Sequence, residues 1–460
     1  MRDVRHVGVI DIGKTNAKVA VVDIDAEREI GVLTRPNKVL SGPPFPHYDI
    51  DGHWHFICDA LKQLHSEFGI DALSVTTHGA SAVLLTEDGS LAAPVLDYEF
   101  DGPQTLATDY DAIRPEFSET GSPRLGMGLN VGAQLYWQFR SDPTLLDRTA
   151  TILTYPQYWT YRLTGIRANE VTSLGCHTDL WNPSQNCFSS LVKRMGLAGK
   201  MAPVKRAVDT LDPVLPAVAA VTGLPENVAV SCGIHDSNAS LLPHLLRRQA
   251  PFSVVSTGTW VIVLALGGET VHLDPTRDTL INVNAFGDAV PSARFMGGRE
   301  FEMVLDGRPR IATDTDARNV LDQSVMLLPA VDPRSGPFQG RSHRWTVTET
   351  ELTDGERYAA LSFYLALMTA ECLAMTGAKG PIIVEGPFAS NSLYTRMLET
   401  ASGRPVEAAE SSVTGTSIGA ALLAKGPQRR NDSMADNGKR TLANNPAFSS
   451  YAARWRDLVR

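Results

Sequence analysis

Two runs of apolar residues near the start of the chain are separated by a short polar turn. Residues 9–12 (VIDI) and 18–23 (KVAVVD) are rich in β-branched side chains and show no helical period. We therefore predict a strand, a tight turn and a second strand. The turn would present Asp11, Gly13, Lys14 and Thr15.

Residues 8–15, GVIDIGKT, also match the Walker A pattern G-x-x-x-x-G-K-[ST]. A loop of that kind needs flexible backbone between a strand and a helix. Here three of the four intervening residues are stiff β-branched residues, and the pattern after the turn is that of a strand. The sequence therefore predicts that the Walker match is accidental.

A second pair of apolar runs occupies residues 252–266, FSVVSTGTWVIVLAL. A small polar turn made of Thr257, Gly258 and Thr259 separates the two runs. Both hairpins offer turn amides and hydroxyls, which are donors that bind phosphate oxygens. A plain surface hairpin is an alternative for either one. Their repetition nevertheless predicts an internal duplication.

Helical and strand-like patterns alternate along the rest of the chain. Helical spacing over residues 57–68 precedes a strand at 72–77, and a long helix at 356–375 precedes a strand at 381–385. This alternation predicts an α/β fold. Because 460 residues exceed one ordinary core, we expect two large domains with a boundary near residue 245. Residues 426–460 are predicted to form a tail or linker with a possible terminal helix.

Charge and cysteine content limit the classes of binding partner and the cellular compartment that we expect for the protein. A formal net charge of -9 argues against a nucleic-acid or anionic-membrane surface. No apolar run reaches membrane-spanning length and the first residues lack a signal-peptide core, so we expect a soluble, cytoplasmic protein. Five scattered cysteines without C-x-x-C spacing predict buried thiols rather than disulfides or a zinc site.

Asp236 is the strongest candidate for chemistry. It follows a strand-like run at 227–231 and precedes a helical run at 239–246, which is where α/β proteins place their sites. An aspartate there can be a helix cap or a catalytic base, and the second phosphate hairpin a short way downstream favours the base. His235 is a competing base. Because adjacent residues usually face apart, we expect only one of the two to point at a substrate.

A third group of small residues follows the strand at 381–385. Gly386 and Asn391 come directly after it, and residues 411–424 contain Gly415 and Gly419. Glycines at these positions would let the backbone approach a flat ligand closely. Close packing between helices is the alternative explanation.

Taken together, these residues resemble the FGGY family of carbohydrate kinases, within the actin, Hsp70 and hexokinase superfamily. The resemblance runs from about residue 7 to residue 425. It rests on five matches: D-x-G-T-[TS] at Asp11, Gly13 and Thr15; G-x-x-D at Gly233 and Asp236; G-T-W at Gly258, Thr259 and Trp260; the adenosine segment at Gly386 and Asn391; and GAALLA at residues 419–424. The sequence departs from the family at Lys14, which replaces a threonine, and at Glu385, which stands where a glycine is common.

The resemblance implies two ribonuclease H-like (actin-like ATPase) domains with an inter-domain catalytic cleft. Residues 1–245 would form a sugar-binding and phosphate-turn domain, and residues 246–425 a nucleotide-binding domain. The implied reaction is ATP-dependent phosphorylation of a primary hydroxyl of a small sugar. A ketose is expected, such as xylulose, L-fuculose or L-rhamnulose, because the W-x-D-x-R signature of glycerol kinases is not evident. A homodimer is the family-based expectation.

The resemblance also implies roles for individual residues. Asp236 would be the base, and Asp11 and Asp236 would hold Mg²⁺. The ATP phosphates would lie on Gly13, Lys14, Thr15, Thr257, Gly258 and Thr259. Gly386, Asn391 and Gly415 would bind adenosine, and His78, Gly79 and Asp236 would bind the sugar.

Two other classes of protein compete with this hypothesis. An actin-like sensor or chaperone-like protein would bind nucleotide without sugar-dependent ADP release. A dehydrogenase with a Rossmann site is disfavoured, because no G-x-G-x-x-G opens a helix after the first strand.

Overall fold

The computed structural model of the protein describes residues 4–409, 415–426 and 445–460. These residues form two compact units. The first unit contains residues 4–247, 281–289 and 415–426, and the second contains residues 248–280, 290–409 and 445–460. The first break lies close to the predicted boundary at residue 245. Two later segments nevertheless pack with the first unit. A division of the sequence at a single boundary does not predict this.

Strands occur in both units. In chain order they are β1 (His6–Ile12), β2 (Asn16–Asp23), β3 (Arg28–Pro36), β4 (Val39–Leu40), β5 (His47–Tyr48), β6 (Ala72–Thr77), β7 (Ala82–Leu85), β8 (Thr151–Thr154), β9 (Asn169–Glu170), β10 (Trp181–Asn182), β11 (Cys187–Phe188), β12 (Val204–Lys205), β13 (Thr210–Pro213), β14 (Ala229–Ser231), β15 (Ile234–His235), β16 (Phe252–Thr257), β17 (Val261–Leu266), β18 (Thr279–Val283), β19 (Ala289–Phe295), β20 (Leu327–Leu328), β21 (Arg344–Trp345), β22 (Ile382–Glu385) and β23 (Val406–Ala408).

Helices separate most of these strands. In chain order they are α1 (Ile50–Phe68), α2 (Ala107–Ile113), α3 (Phe117–Thr120), α4 (Val131–Ser141), α5 (Leu145–Arg148), α6 (Tyr155–Thr164), α7 (Val171–Leu174), α8 (Ser190–Arg194), α9 (Pro216–Thr222), α10 (Asp236–Arg247), α11 (Gly297–Leu305), α12 (Asp314–Asp322), α13 (Asp354–Met375), α14 (Ser392–Ser402), α15 (Thr416–Leu422) and α16 (Pro446–Val459).

The first unit is built on a sheet with the strand order β13-β14-β6-β1-β2-β3, and β15 also pairs with β6. β1 and β2 form the predicted antiparallel hairpin, and β6, which follows α1, lies parallel to β1. β1 contains an almost continuous apolar run because both of its faces are buried. The amphipathic helix α1 buries Ile57, Leu61 and Leu64 in the core of this unit.

The second unit repeats this arrangement. Its sheet contains the strand order β19-β17-β16-β22-β23, in which β16 and β17 form the second predicted hairpin. β22 follows the long helix α13 and lies parallel to β16, as β6 lies parallel to β1. In both units, therefore, the first strand of a hairpin pairs in parallel with the strand that follows a helix. This shared topology supports the predicted internal duplication.

Helix α13 forms the centre of the second core. It begins with a capping box, in which the side chains of Thr353 and Glu356 each accept from the other's backbone amide. Among the described residues it is the helix long and apolar enough to cross a membrane, but 78% of that apolar stretch is buried within the protein. It thus has the burial expected of a core helix.

Helix α16 also belongs to this core. Phe448, Tyr451 and Trp455 are buried, and the Trp455 indole Nε1 donates to the carbonyl of Leu327 at 2.9 Å. Residues 446–459 thus form the possible terminal helix, and its apolar face is buried in the core of the second unit rather than standing apart as a tail. Residues 427–444, which carry the polar composition behind that prediction, lie outside the described residues.

Candidate functional site

Three parallel strand ends meet at one edge of the first sheet. β1 and β15 both lie parallel to β6, and the register pairs Ile12 with Thr77 and His235 with Thr77. Asp11 precedes Ile12, His78 follows Thr77, and Asp236 follows His235. The structure thus brings Asp11, His78 and Asp236 together, as expected for the carboxyl ends of parallel strands.

Asp236 is the first residue of α10, and its side chain is 33% exposed. Its Oδ1 accepts from the backbone amide of Ser237 at 2.6 Å and from the Ser237 hydroxyl at 3.2 Å. Among the described residues no hydrogen bond reaches Oδ2. The carboxylate is therefore held at the helix N-terminus by one oxygen, while the other is open to a ligand.

The expectation that His235 and Asp236 face apart is wrong. The His235 Nε2 lies 3.2 Å from Asp236 Oδ1 and 3.7 Å from the sulfur of Cys176. Burial lowers the pKa of His235, but the charges of Cys176 and Asp236 outweigh that effect and raise the pKa. The two side chains contact each other because His235 ends β15 and Asp236 begins α10, so the backbone turns between them.

Lys14 extends from the first hairpin turn toward carboxylates. Its Nζ contacts Asp97 and lies 3.0 Å from a carboxylate oxygen of Glu99. The same ammonium lies 4.6 Å from the ring centroid of Tyr98 and 5.5 Å from that of Tyr48. Acidic and aromatic side chains therefore already surround this ammonium at the turn.

The remainder of the first turn presents backbone. The amide of Gly13 donates to the carbonyl of Asn16 at 2.9 Å and closes the hairpin. Thr15 is exposed at its tip. A phosphate role for Gly13, Lys14 and Thr15 stays a prediction; because the Gly13 amide closes the hairpin, the donors available are the amides of Lys14 and Thr15 and the Thr15 hydroxyl.

His78 lies directly after β6 and is buried among three tyrosine rings. The ring centroids of Tyr48, Tyr98 and Tyr155 are 5.0–5.2 Å from that of His78. The His78 Nδ1 lies 2.7 Å from the carbonyl of Gly79, so Nδ1 carries the proton and donates. Nε2 is then an acceptor, and it is buried with no hydrogen-bond partner among the residues that the structure describes. An unpaired buried acceptor indicates a place for a hydroxyl ligand.

Gly79 has no room for a side chain. A Cβ there would lie 2.8 Å from the His235 Nε2, so glycine lets the turn after β6 approach β15. The sugar-binding role of Gly79 stays a prediction.

Asp11 fits a hydrated Mg²⁺. Burial raises the pKa of Asp11 to about 6, with Lys18 opposing the shift and Asp236 adding to it. The Lys18 Nζ lies 3.6 Å from its carboxylate. Two neighbouring carboxylates, of which Asp11 is largely buried, are hard oxygen ligands whose charge a divalent cation would offset. Among the described residues no three His, Cys, Asp or Glu form a metal-binding group.

The second hairpin turn, in the second unit, has an exposed tip at Gly258 and Thr259. The Thr257 hydroxyl is buried, where it donates to the carbonyl of Glu385 and accepts from the amide of Phe388 at 3.1 Å. Thr257 therefore anchors the turn to β22. The Gly258 amide donates to the carbonyl of Trp260 at 2.9 Å, so the donors of the tip left for a ligand are the amide and hydroxyl of Thr259. Gly298, at the start of α11, passes so close that a Cβ there would overlap the carbonyl of Gly258.

The three predicted adenosine residues come from both units. Gly386 and Asn391 lie in the second unit, whereas Gly415 caps α15 in the first. Asn391 caps α14 through the amides of Leu393 and Tyr394, and its Nδ2 donates to the Ser362 hydroxyl at 2.9 Å. Its visible role is structural, and adenosine binding by these residues stays a prediction.

Several residues near the site carry no signal in the sequence. Lys18, Tyr48, Tyr98 and Glu99 surround the predicted groups but come from β2, β5 and the loop after residue 96. A hydrophobic tyrosine or a lone glutamate has no spacing that marks it as functional. Only the pairing of distant strands brings these side chains to Asp11 and His78.

Comparison with known proteins assigns both halves of the chain to one family. The profile described as "FGGY family of carbohydrate kinases, N-terminal domain" matches residues 6–243. The profile "Carbohydrate kinase FGGY, C-terminal domain" matches residues 249–433. Among curated proteins, the L-fuculokinase of Escherichia coli (strain K12) is 23% identical over 266 residues, which are 56% of this chain. The chain spans only 55% of the length of that relative.

Solved structures resemble nearly the whole chain. A carbohydrate kinase from Novosphingobium aromaticivorans is 35% identical, with a TM-score of 0.88 over 98% of this chain and 100% of its own. A ligand-bound xylulose kinase from Lactobacillus acidophilus is 14% identical, with a TM-score of 0.78 over 99% of this chain and 96% of its own, and shows the fold alone. The predicted family and its two-domain actin-like ATPase fold are confirmed.

Proposed function

Because the chain belongs to the FGGY family of carbohydrate kinases, we propose that it transfers the γ-phosphate of ATP to a primary hydroxyl of a small sugar. The observation that carries this proposal is the meeting of Asp11, His78 and Asp236 at three parallel strand ends. Two carboxylates and a neutral imidazole in one place supply a proton acceptor, a cation site and a hydroxyl partner.

A ketose is the proposed acceptor. The name of a curated relative, L-fuculokinase, and that of a structural neighbour, xylulose kinase, both refer to ketose substrates. The Tyr48 ring packs against His78 and its hydroxyl donates to Asp97, and Lys14 pairs with both Asp97 and Glu99, so two carboxylates face one ammonium beside the tyrosines. Negative charge there disfavours an acidic sugar, which supports a neutral acceptor such as a pentulose or a 6-deoxyhexulose.

Asp236 is the proposed general base. Its Oδ2 would take the proton of the sugar hydroxyl as that oxygen forms a bond to the γ-phosphorus. The bond between the γ-phosphorus and the β,γ-bridging oxygen breaks, and ADP leaves. Because Ser237 fixes Oδ1, the carboxylate keeps one orientation. General-base catalysis contributes about 10²–10⁴-fold to such rates.

His78 is the proposed partner of a second sugar hydroxyl. Burial lowers the pKa of His78 to about 4, so the ring is neutral at physiological pH and its Nε2 can accept. The surrounding tyrosine rings would limit which sugar can reach that nitrogen. His78 would thus orient the acceptor rather than move a proton.

The proposed phosphate ligands are backbone groups of both hairpin turns. Gly13, Lys14 and Thr15 contribute in the first unit, and Thr257, Gly258 and Thr259 in the second. Asp11, together with Asp236, would hold Mg²⁺, which neutralises phosphate charge when bound. Adenosine would contact the second unit at Gly386 and Asn391, and Gly415 is retained as a further proposed contact.

A coupled assay of ADP release tests the proposal. The screen uses ketoses and polyols with Mg²⁺ and ATP, for the wild type and for Asp236→Asn. Asp51→Asn is a matched control because Asp51 also lies in the first turn of a helix of the first unit. We expect release that depends on a ketose, lost in Asp236→Asn and kept in Asp51→Asn. Nucleotide binding without release for any sugar would reject the kinase proposal.

A further inference from the structure

Asn37 is bonded to both ends of the first hairpin turn. It directly follows β3, and the β2–β3 register pairs Asn16 with Pro36, which places Asn37 beside Thr15. Its backbone amide donates to the carbonyl of Thr15 at 2.8 Å, and its side-chain Nδ2 donates to the carbonyl of Gly13 at 2.8 Å. We propose that Asn37 is a positioning residue that orients this turn for phosphate, and that His53 holds Asn37 in place.

The geometry of the peptide explains how Asn37 would act. In a trans peptide the C=O and the following N–H point in opposite directions. Because the carbonyl of Gly13 points at Asn37, the amide of Lys14 must point away from Asn37. The carbonyl of Thr15 is fixed in the same way. Asn37 therefore sets the direction of the Lys14 amide, which is one of the donors on which the proposed phosphate binding rests.

A chain of hydrogen bonds links the side chain of Asn37 to the start of α1. The His53 Nε2 lies 2.8 Å from the Asn37 Oδ1, and the Arg35 Nη1 lies 3.1 Å from the His53 Nδ1. Arg35 also pairs with Asp49, whose side chain accepts from the amide of Gly52 at the start of α1. Since arginine can only donate, Nδ1 accepts, and Nε2 carries the proton that goes to Asn37. Each bond fixes the direction of the next.

The burial of this hydrogen-bonded chain and the space that Gly52 leaves for it indicate that the side chains are held in fixed positions. His53 is fully buried and Asn37 is 9% exposed. Burial lowers the pKa of His53 to about 4, which keeps the ring neutral and able to accept from Arg35. A Cβ on Gly52 would overlap both Asp49 and Arg35, so glycine leaves the space that this ion pair fills. Among the described residues no hydrogen bond joins this chain to the proposed sugar residues, although the charge of His78 contributes to the lowered pKa of His53.

Asn37→Asp is the direct test, because the carboxylate keeps the shape of the amide but cannot donate to Gly13. Asn130→Asp is the matched control: Asn130 is also fully buried in the first unit and donates to backbone carbonyls, away from the turn. We expect Asn37→Asp to weaken ATP binding about tenfold, with the KM for the sugar nearly unchanged. Asn130→Asp is expected to lower stability without this selectivity.

His53→Phe keeps a buried ring and removes the donor to Asn37. This second variant keeps the proposal testable if Asn37→Asp does not fold. It should weaken ATP binding in the same direction, and add little when combined with Asn37→Asp, because His53 acts through Asn37. Unchanged ATP affinity in both variants, or an equal change in the KM of both substrates, would overturn the proposal.

The inference rests on the proposed phosphate role of the turn, and the two can fail separately. Wild-type protein that binds ATP without phosphorylating any sugar would reject the kinase function, while nucleotide titration would still test Asn37. Wild-type turnover with an unaffected Asn37→Asp variant would reject the inference alone.

Discussion

Replacing Lys14 with methionine should destabilise the first unit through Asp97. The Asp97 side chain is only 9% exposed and contacts the Lys14 ammonium, the Tyr48 hydroxyl at 3.1 Å and the amide of Glu99 at 3.2 Å. Leaving a buried carboxylate unpaired costs about 3–5 kcal/mol. Two neutral donors remain and Lys14 is 23% exposed, so we expect a loss of about 1–3 kcal/mol in the free energy of unfolding.

Urea unfolding of a double-mutant cycle measures this effect. Asp97→Asn keeps the shape of the side chain and removes its charge, so Lys14→Met combined with Asp97→Asn should recover most of the loss. Strict additivity of the two single variants, or a loss below about 0.5 kcal/mol for Lys14→Met, would refute the reasoning. It would mean that the carboxylate is already well solvated.

The same position distinguishes two functional roles. Because acidic and aromatic groups hold the Lys14 ammonium, Lys14→Thr should change the KM for the sugar more than the affinity for ATP. A selective loss of ATP affinity would instead show that the ammonium leaves Asp97 and binds phosphate. Unchanged nucleotide affinity and turnover would remove Lys14 from the phosphate site altogether.

Three further perturbations test other features. Burial raises the pKa of Asp11 from 3.8 to about 6, so the folded state binds more protons in that range and stability falls as pH rises through it. Asp11→Asn should therefore raise the free energy of unfolding at neutral pH by about 1–3 kcal/mol, measured by urea unfolding without Mg²⁺. No gain in stability would contradict the raised pKa of Asp11. Gly386→Ala should weaken ATP binding, because its Cβ would overlap the Thr257 carbonyl. Gly403 is also at positive φ but faces open space, so Gly403→Ala should leave ATP binding unchanged. Equal effects of the two variants in ATP titrations would reject a role for Gly386 in nucleotide binding. Trp455→Ala should lower the free energy of unfolding by about 3–5 kcal/mol, because Trp455 is buried. A variant as stable as the wild type would show that α16 does not contribute to the second core.

Periodicity identified the elements that position the site. Both hairpins, the strand ending at Thr77 and the helix after Asp236 follow from short apolar runs and the turn residues between them. Because parallel strands share one carboxyl edge, the grouping of Asp11 and Asp236 could also be predicted. These features are local or follow from a general rule of α/β folds.

The contacts of individual side chains could not be predicted in this way. Lys14 turns to Asp97, whose loop is tied to residues 46–48 by backbone hydrogen bonds, and no local pattern contains that contact. His235 contacts Asp236 because a strand ends and a helix begins between them. Asn37 is a single polar residue after an edge strand, and its role depends on the β2–β3 register.

The division into units also depends on contacts that are remote in sequence. Gly415 is close in sequence to the second hairpin's unit but packs with the first, since α15 lies against α10. Helix α16 follows a polar stretch that resembles a linker, yet its aromatic residues complete the second core. Composition describes the segment, whereas packing decides where it belongs.

The central claim is that Asp236 accepts the proton of a primary sugar hydroxyl as phosphate is transferred. The most direct measurement follows the product of the best ketose with Mg²⁺ and ATP by phosphorus and carbon NMR, for the wild type and Asp236→Asn at matched nucleotide saturation. We predict one phosphate ester on a terminal carbon for each ADP, formed about 10²–10⁴-fold more slowly by the variant. An ester on another carbon, ADP without an ester, or a variant as fast as the wild type would contradict the account.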